Sequence, residues 1–169
     1  MMKIFHILLF AVFGLLKTYG QQNFIEINGK TNVNTFKCIN DISGESQKLS
    51  FVDTQLPELE IKVGGFDCKN RVMTNDFKKT LSEKQFPNMY VKFLNFSKTS
   101  NNQYLANVEV KIMNKTQKYQ INFSNQNGRL SAKKNVKFSD FQITPPKKMG
   151  GMVVVKDDLT LQFCLDAKI

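Results

Sequence analysis

The chain has 169 residues, 41% of them apolar, with three cysteines and a formal charge of +10. That length supports one domain with a real core, and the lysines stand singly or in pairs (Lys78-Lys79, Lys133-Lys134, Lys147-Lys148) without the arginine forks that read bases or phosphates, so nucleic acid is not an expected partner. The single histidine, His6, lies in an N-terminal segment that reads as removable; without it, Ser-His-Asp and Cys-His nucleophiles, histidine-ligated zinc and an ordinary histidine haem ligand are excluded.

Residues 1–20 read as a signal peptide, with a positive start at Lys3, an apolar run from Ile4 to Leu16, and small residues Thr18 and Gly20 before Gln21. The apolar run is shorter than the ~20 residues that span a bilayer, and no cysteine follows Gly20 to carry a lipid anchor. The expected domain is therefore residues 21–169, periplasmic or secreted; losing Lys3 and Lys17 takes the charge from +10 to +8. Such a compartment permits disulfides, and Cys38, Cys68 and Cys164 allow at most one internal bridge. If the chain from Phe36 folds back through the polar stretches Ser43 to Lys48 or Asp53 to Pro57, Cys38 and Cys68 become neighbours. Three reduced, buried thiols are the alternative. Scattered cysteines lack the short spacings of a zinc site, so neither metal nor cofactor is expected.

Strands are predicted at Phe24 to Ile27, Leu59 to Val63, Val91 to Phe96, Leu105 to Ile112, Tyr119 to Phe123, Val136 to Ile143, Met152 to Val155 and Leu159 to Leu165. Alternation is clearest in the second half, where Val108-Glu109-Val110-Lys111-Ile112 and Leu159-Thr160-Leu161-Gln162-Phe163 each put apolar side chains on one face. One helix interrupts this plan. Met73, Phe77 and Leu81 form an apolar stripe at i, i+4 and i+8, and Pro87 predicts that the helix ends near Phe86. The polar connections at Asn114-Lys115, Asn125 to Gly128 and Pro145 to Gly151 suit antiparallel neighbours. A sheet with one wet and one apolar face must close or stack, and the pattern fits a mainly β, antiparallel up-and-down barrel of about eight strands with one short flanking helix.

The inward set of that barrel is Leu59, Ile61, Val63, Val91, Phe93, Val108, Val110, Ile112, Tyr119, Ile121, Phe123, Leu159, Leu161 and Phe163. Alternation is the same whether these side chains fill the barrel or leave room for a ligand. No catalytic residue is expected, because Asp157 and Asp158 are sequential and point to opposite sides of a strand, whereas paired acid and base groups must converge. A hydrolase or isomerase using Asp140, Asp157 or Asp158 in a barrel mouth is a competing class. A filled-core interaction domain, acting through its basic outer face on membranes or an acidic partner, is another.

The order of motifs resembles the YceI-like family. The residues that carry the resemblance are the helix stripe followed by Phe86-Pro87, then Asn114-Lys115-Thr116, then Ser139-Asp140-Phe141 with Gln142 where the family has glycine. The loop Thr144-Pro145-Pro146-Lys147-Lys148-Met149-Gly150-Gly151 and the final stretch Asp157-Asp158-Leu159-Thr160-Leu161 complete it. The resemblance implies a lipocalin-like barrel and an elongated apolar channel for a polyisoprenoid or similar long-chain lipid, lined by the inward set above. It implies a carrier or sequestering protein, exported to a periplasm. Transient membrane contact is compatible with that role, and the oligomeric state is open, a dimer included.

Overall fold

Period-2 alternation organises most of the chain into one antiparallel meander. The computed structural model describes residues 23–42 and 49–169; the signal-peptide reading at 1–20 and the polar stretch 43–48 lie outside the described residues. Among the described residues there are eleven strands: β1 (Phe24–Thr31), β2 (Thr35–Asp41), β3 (Leu49–Ser50), β4 (Glu58–Lys62), β5 (Phe66–Asp67), β6 (Asn88–Ser100), β7 (Gln103–Ile112), β8 (Lys115–Gln126), β9 (Arg129–Lys137), β10 (Lys147–Lys148) and β11 (Val153–Lys168). Nine of them form one hydrogen-bonded path, β4-β6-β7-β8-β9-β11-β1-β2-β5, and β3 and β10 add to β11. The fold is therefore the expected antiparallel barrel, but with nine strands in its wall rather than about eight.

Closure depends on one bent segment. β4 pairs with β6, the chain then turns through the 3-10 turn Val63–Gly65, and β5 pairs with β2, so the same ten residues cover both ends of the path. Asn40, buried on β2, donates from Nδ2 to the Lys62 carbonyl at 2.7 Å across this seam. Glycine is required at the corner, because a Cβ on Gly65 would lie 2.8 Å from the Asn40 side-chain oxygen. A disulfide between Cys38 on β2 and Cys68 just after β5 fixes the same seam.

The helix α1 (Arg71–Thr80) covers one end of the barrel, called here the helix end. Asn70 caps it by accepting the Met73 amide at 3.0 Å. Phe77 and Leu81 are buried and Met73 packs against the core, as the stripe predicts. The helix stops well before Phe86, however. Ser82 takes a left-handed φ of 51°, its amide donates to the Lys79 carbonyl, and the Glu83 amide reaches back to Lys78. This paired closure satisfies the last carbonyls without waiting for the proline.

Three further expectations are corrected. β2 was not predicted: its inward residues Phe36, Cys38 and Asn40 mix polar and apolar types, which hides the alternation. The strand expected over Val136 to Ile143 is instead β9, which runs earlier and ends at Lys137; Ser139–Phe141 is a 3-10 turn closed by Gln142 at a left-handed φ of 57°. The inward residues of β9 include Ala132 and Lys134, so its apolar face is weak in sequence. Finally, Val153 to Val155 and Leu159 to Leu165 belong to one strand, β11, which runs on through Lys156, Asp157 and Asp158 opposite a register shift in its ladder to β1, while Met152 lies in the turn before it.

Candidate functional site

The two ends of the barrel differ. At the far end, Phe123 touches Phe93, Phe96 and Phe163, with ring centroids 5.8, 6.4 and 6.0 Å apart. Phe51 closes over Phe93 and Phe96, and Tyr104 stacks on Phe96. Aromatic side chains thus fill this half of the interior. Of the inward set, Leu59, Ile61, Val63, Val91, Phe93, Val108, Val110, Ile112, Ile121, Phe123, Leu159, Leu161 and Phe163 are buried in one core cluster; Tyr119 is only half-buried.

At the helix end an apolar cavity of about 340 Å³ opens between α1 and the strand ends. The helix contributes Val72, Met73 and Phe77, the barrel contributes Phe36, Val153 and Val155, and Phe138 and Pro146 close the side. None of the fourteen inward residues lines it. An ion pair crosses its rim: Lys148 Nζ lies 2.8 Å from Asp76 Oδ1, tying β10 to the helix. Among the described residues no cluster of ligating side chains suits a metal, and no helix is long and apolar enough to cross a membrane.

Gly29 leaves room for the Phe36 ring that lines this cavity. It pairs with Phe36 across β1 and β2, and the tip of the Phe36 ring occupies the space a Cβ would take. A methyl at position 29 must push the ring away from the strand, towards the space that Phe36 lines. Gly29→Ala is therefore expected to weaken capture of an apolar ligand by about tenfold, the effect of ~1.4 kcal/mol, with a smaller change in stability. Titration with a fluorescent fatty acid, beside a thermal melt, measures both.

The carboxylates at this end serve the architecture. β8 and β9 pair only from Ser124 to Gln126 and separate towards the helix end. The 3-10 turn fills the gap: Tyr119 donates its hydroxyl to Asp140 Oδ2 at 3.0 Å, and Gln117 donates to the Asp140 carbonyl at 2.6 Å. Burial, and then the hydrogen bond to Asp140 and its negative charge, push the Tyr119 phenol well above its ordinary pKa. Lys134 reaches over the same ring, 5.6 Å from its centroid. Asp157 brackets the turn from β11 by accepting both the Ser139 hydroxyl and the Ser139 amide.

Those two bonds, hydroxyl first, hold the Asp157 carboxyl below its ordinary range. A folded pKa below the unfolded one means that the bracket contributes stability above about pH 4 and loses it as the pH falls through the folded value. The Ser139 amide resonance is expected to move with that titration, and Asp157→Asn to remove the movement.

The cavity residues escape sequence reading because they come from strand ends, one helix face and a turn, rather than from one alternating run. Met73 and Phe77 carried a signal as the helix stripe. Phe36 carried none, since β2 was not legible, and Phe138 falls in the strand expected over Val136 to Ile143, whereas it begins the turn after β9.

Comparison with known proteins adds the family. The YceI-like domain model matches residues 17–167. No curated protein matches the sequence. The fold is similar to that of BcnA from Burkholderia cenocepacia, with a TM-score of 0.64 and 15% identity over 86% of this chain and 96% of that one. It is also similar to the YCEI protein of Campylobacter jejuni, with a TM-score of 0.54 and 16% identity over 65% of this chain and 70% of that one. Because the family model covers nearly the whole of the described barrel and its helix, the chain belongs to the YceI-like domain family.

Proposed function

We propose that the protein is an exported, non-catalytic carrier that holds a long-chain apolar ligand, of the polyisoprenoid class, with one end of the tail in the cavity beneath α1. The observation that carries this reading is the apolar cavity itself, about 340 Å³ and open at the end where helix and barrel meet. Its size falls within the ~300–1,000 Å³ of small-molecule sites, and its lining is mostly aliphatic and aromatic. Phe36, Met73 and Val155 pack against the core cluster, so the inward residues below them would supply the wall against which a longer tail is buried.

The energetics favour a long ligand. Ten tail carbons at ~0.8 kcal/mol each give roughly 8 kcal/mol gross. Ordering the tail subtracts from this, so micromolar affinity asks for a tail longer than ten carbons or for added head-group contacts. The aromatic filling of the far end limits how deep such a tail can go without moving Phe123 and its neighbours.

The family's association with apolar ligands supports the same reading, as does its general periplasmic location for export. The roles found for Asp140 and Asp157, as acceptors that hold a turn, support a protein without catalysis.

Native mass spectrometry of protein purified from an exported fraction, with solvent extraction of any adduct, tests the proposal. A stoichiometric long-chain lipid is the expected result. A bare polypeptide mass that stays unchanged after incubation with isoprenoids and fatty acids overturns it.

A further inference from the structure

We infer that the helix end of the barrel is a docking face for an anionic lipid bilayer, so that the cavity loads and unloads while pressed against the membrane. The inference rests on the reading of the cavity as an apolar-ligand site and names the surface from which the ligand comes.

Among the described residues, seven large apolar side chains are exposed. Of the seven, four lie at the helix end: Val33 and Val72, each 70% exposed, and Met149 and Met152, each 68% exposed. Val33 sits on the turn between β1 and β2, Val72 on the rim of the cavity, and the two methionines flank Gly150-Gly151 between β10 and β11. A patch of this kind, rimmed by polar groups, marks an interaction surface.

The patch is held in shape by the fold. Asn32 bridges the two turns, donating from Nδ2 to the Met152 carbonyl and accepting the Val154 amide at Oδ1, each at 2.9 Å. The Lys148–Asp76 pair joins the same hairpin to α1. Apolar tips on neighbouring turns are thus presented together, beside the cavity mouth.

Charge supplies the choice of occupant. Lys69 and Arg71 at the start of α1 and Lys147 on β10 are exposed around the patch, beside the Lys148 that pairs with Asp76. The nearby carboxylates are engaged within the protein: Asp76 with Lys148, and Asp67 with the Lys69 amide and the Thr74 hydroxyl. Apolar tips surrounded by cations match the interface of a bilayer carrying anionic head groups, where the tips enter the acyl boundary and the lysines stay at the phosphates. The cavity then opens towards the acyl region, and a tail passes between membrane and protein without crossing water.

Flotation with vesicles of phosphatidylcholine containing one quarter phosphatidylglycerol tests this. Wild-type protein is expected to float with these vesicles at low salt, and to bind at least tenfold less to pure phosphatidylcholine or at high salt. The triple variant Met149→Asp, Met152→Asp, Lys147→Glu is expected to lose at least tenfold in vesicle binding. Its melting curve is expected to be unchanged, because all three side chains are exposed. None of the three lines the cavity, so binding of a soluble fatty acid, measured without vesicles, is expected to match wild type. Wild-type protein that binds the fatty acid but not the vesicles overturns the docking face and leaves the carrier reading intact. Vesicle binding by the triple variant equal to wild type also overturns it, as does a dimer that buries the methionines in place of vesicle binding. Vesicle binding without fatty-acid binding instead removes the carrier reading on which the loading role depends.

Discussion

Phe123→Ala is expected to lower the stability of the protein by about 3–5 kcal/mol, the range for deleting a buried phenylalanine ring. The site is an extreme case within this molecule. Phe123 is fully buried and touches rings from β6 and β11 as well as its own strand's surroundings, so its loss leaves a void that Phe93, Phe96 and Phe163 must all shift to close. Urea unfolding with an unchanged slope and a lower midpoint is the measurement. Because the ring sits in the half of the barrel away from α1, the variant is also expected to keep its affinity at the helix end. A variant that binds longer tails more tightly than wild type would show that the aromatic filling sets the depth of the site.

Removing the disulfide is the second large effect. With Cys38 and Cys68 separated by 30 residues, the chain-entropy model gives about 3–4 kcal/mol for the double substitution to serine. Location adds to loop length here. The bridge spans the seam where β5 contributes only two residues of ladder and Asn40 a single side-chain bond. Reduction is therefore expected to act locally before it acts globally: amide protons of β5 and the Val63–Gly65 turn should exchange faster at reductant concentrations that leave the β6-β7-β8 ladder protected. Equal loss of protection across all strands would show that the seam does not open on its own. Cys164 is expected to have no part in this, since it is a free thiol on β11 whose sulfur accepts the Arg129 side chain at 2.9 Å.

The fold was legible where side-chain type and strand face agree. β7, β8 and the second half of β11 alternate cleanly and were assigned from the sequence. The helix stripe Met73-Phe77-Leu81 was likewise read correctly, although its end was placed by Pro87 when a left-handed Ser82 had already stopped it. β2 and β9 were missed for one shared reason. Each presents polar or small inward residues, Asn40 in one and Ala132 and Lys134 in the other, because each sits where the wall is irregular: at the seam and at the β8–β9 gap. Tertiary contacts that make a polar residue acceptable inside are invisible to a periodicity count.

The site follows from the same limitation. Its walls come from places where the regular pattern stops, at strand ends, the helix and the Phe138 turn, and only Met73 and Phe77 carried a periodic signal. Of the seven non-glycine residues with positive φ among the described residues, Asn102 and Asn127 are of a type that favours it, whereas Lys69, Ser82, Met113, Gln142 and Met149 are not marked by residue type.

The bent segment from β4 to β5 has a colloidal consequence. An open sheet ends in two rows of unpaired amides and carbonyls, either of which can template the strand of another molecule. Here one row turns towards the other: after β4 the chain bends away from β6 at Val63 and pairs with β2 through β5, and the outward residues of β4, Glu58, Glu60 and Lys62, place charge along the segment. Along this segment a neighbouring chain meets charged side chains in place of an open ladder. Concentrated solutions of the oxidised protein should accordingly resist fibril growth, whereas reduced protein, with its seam released, offers the growing end that polymerisation requires.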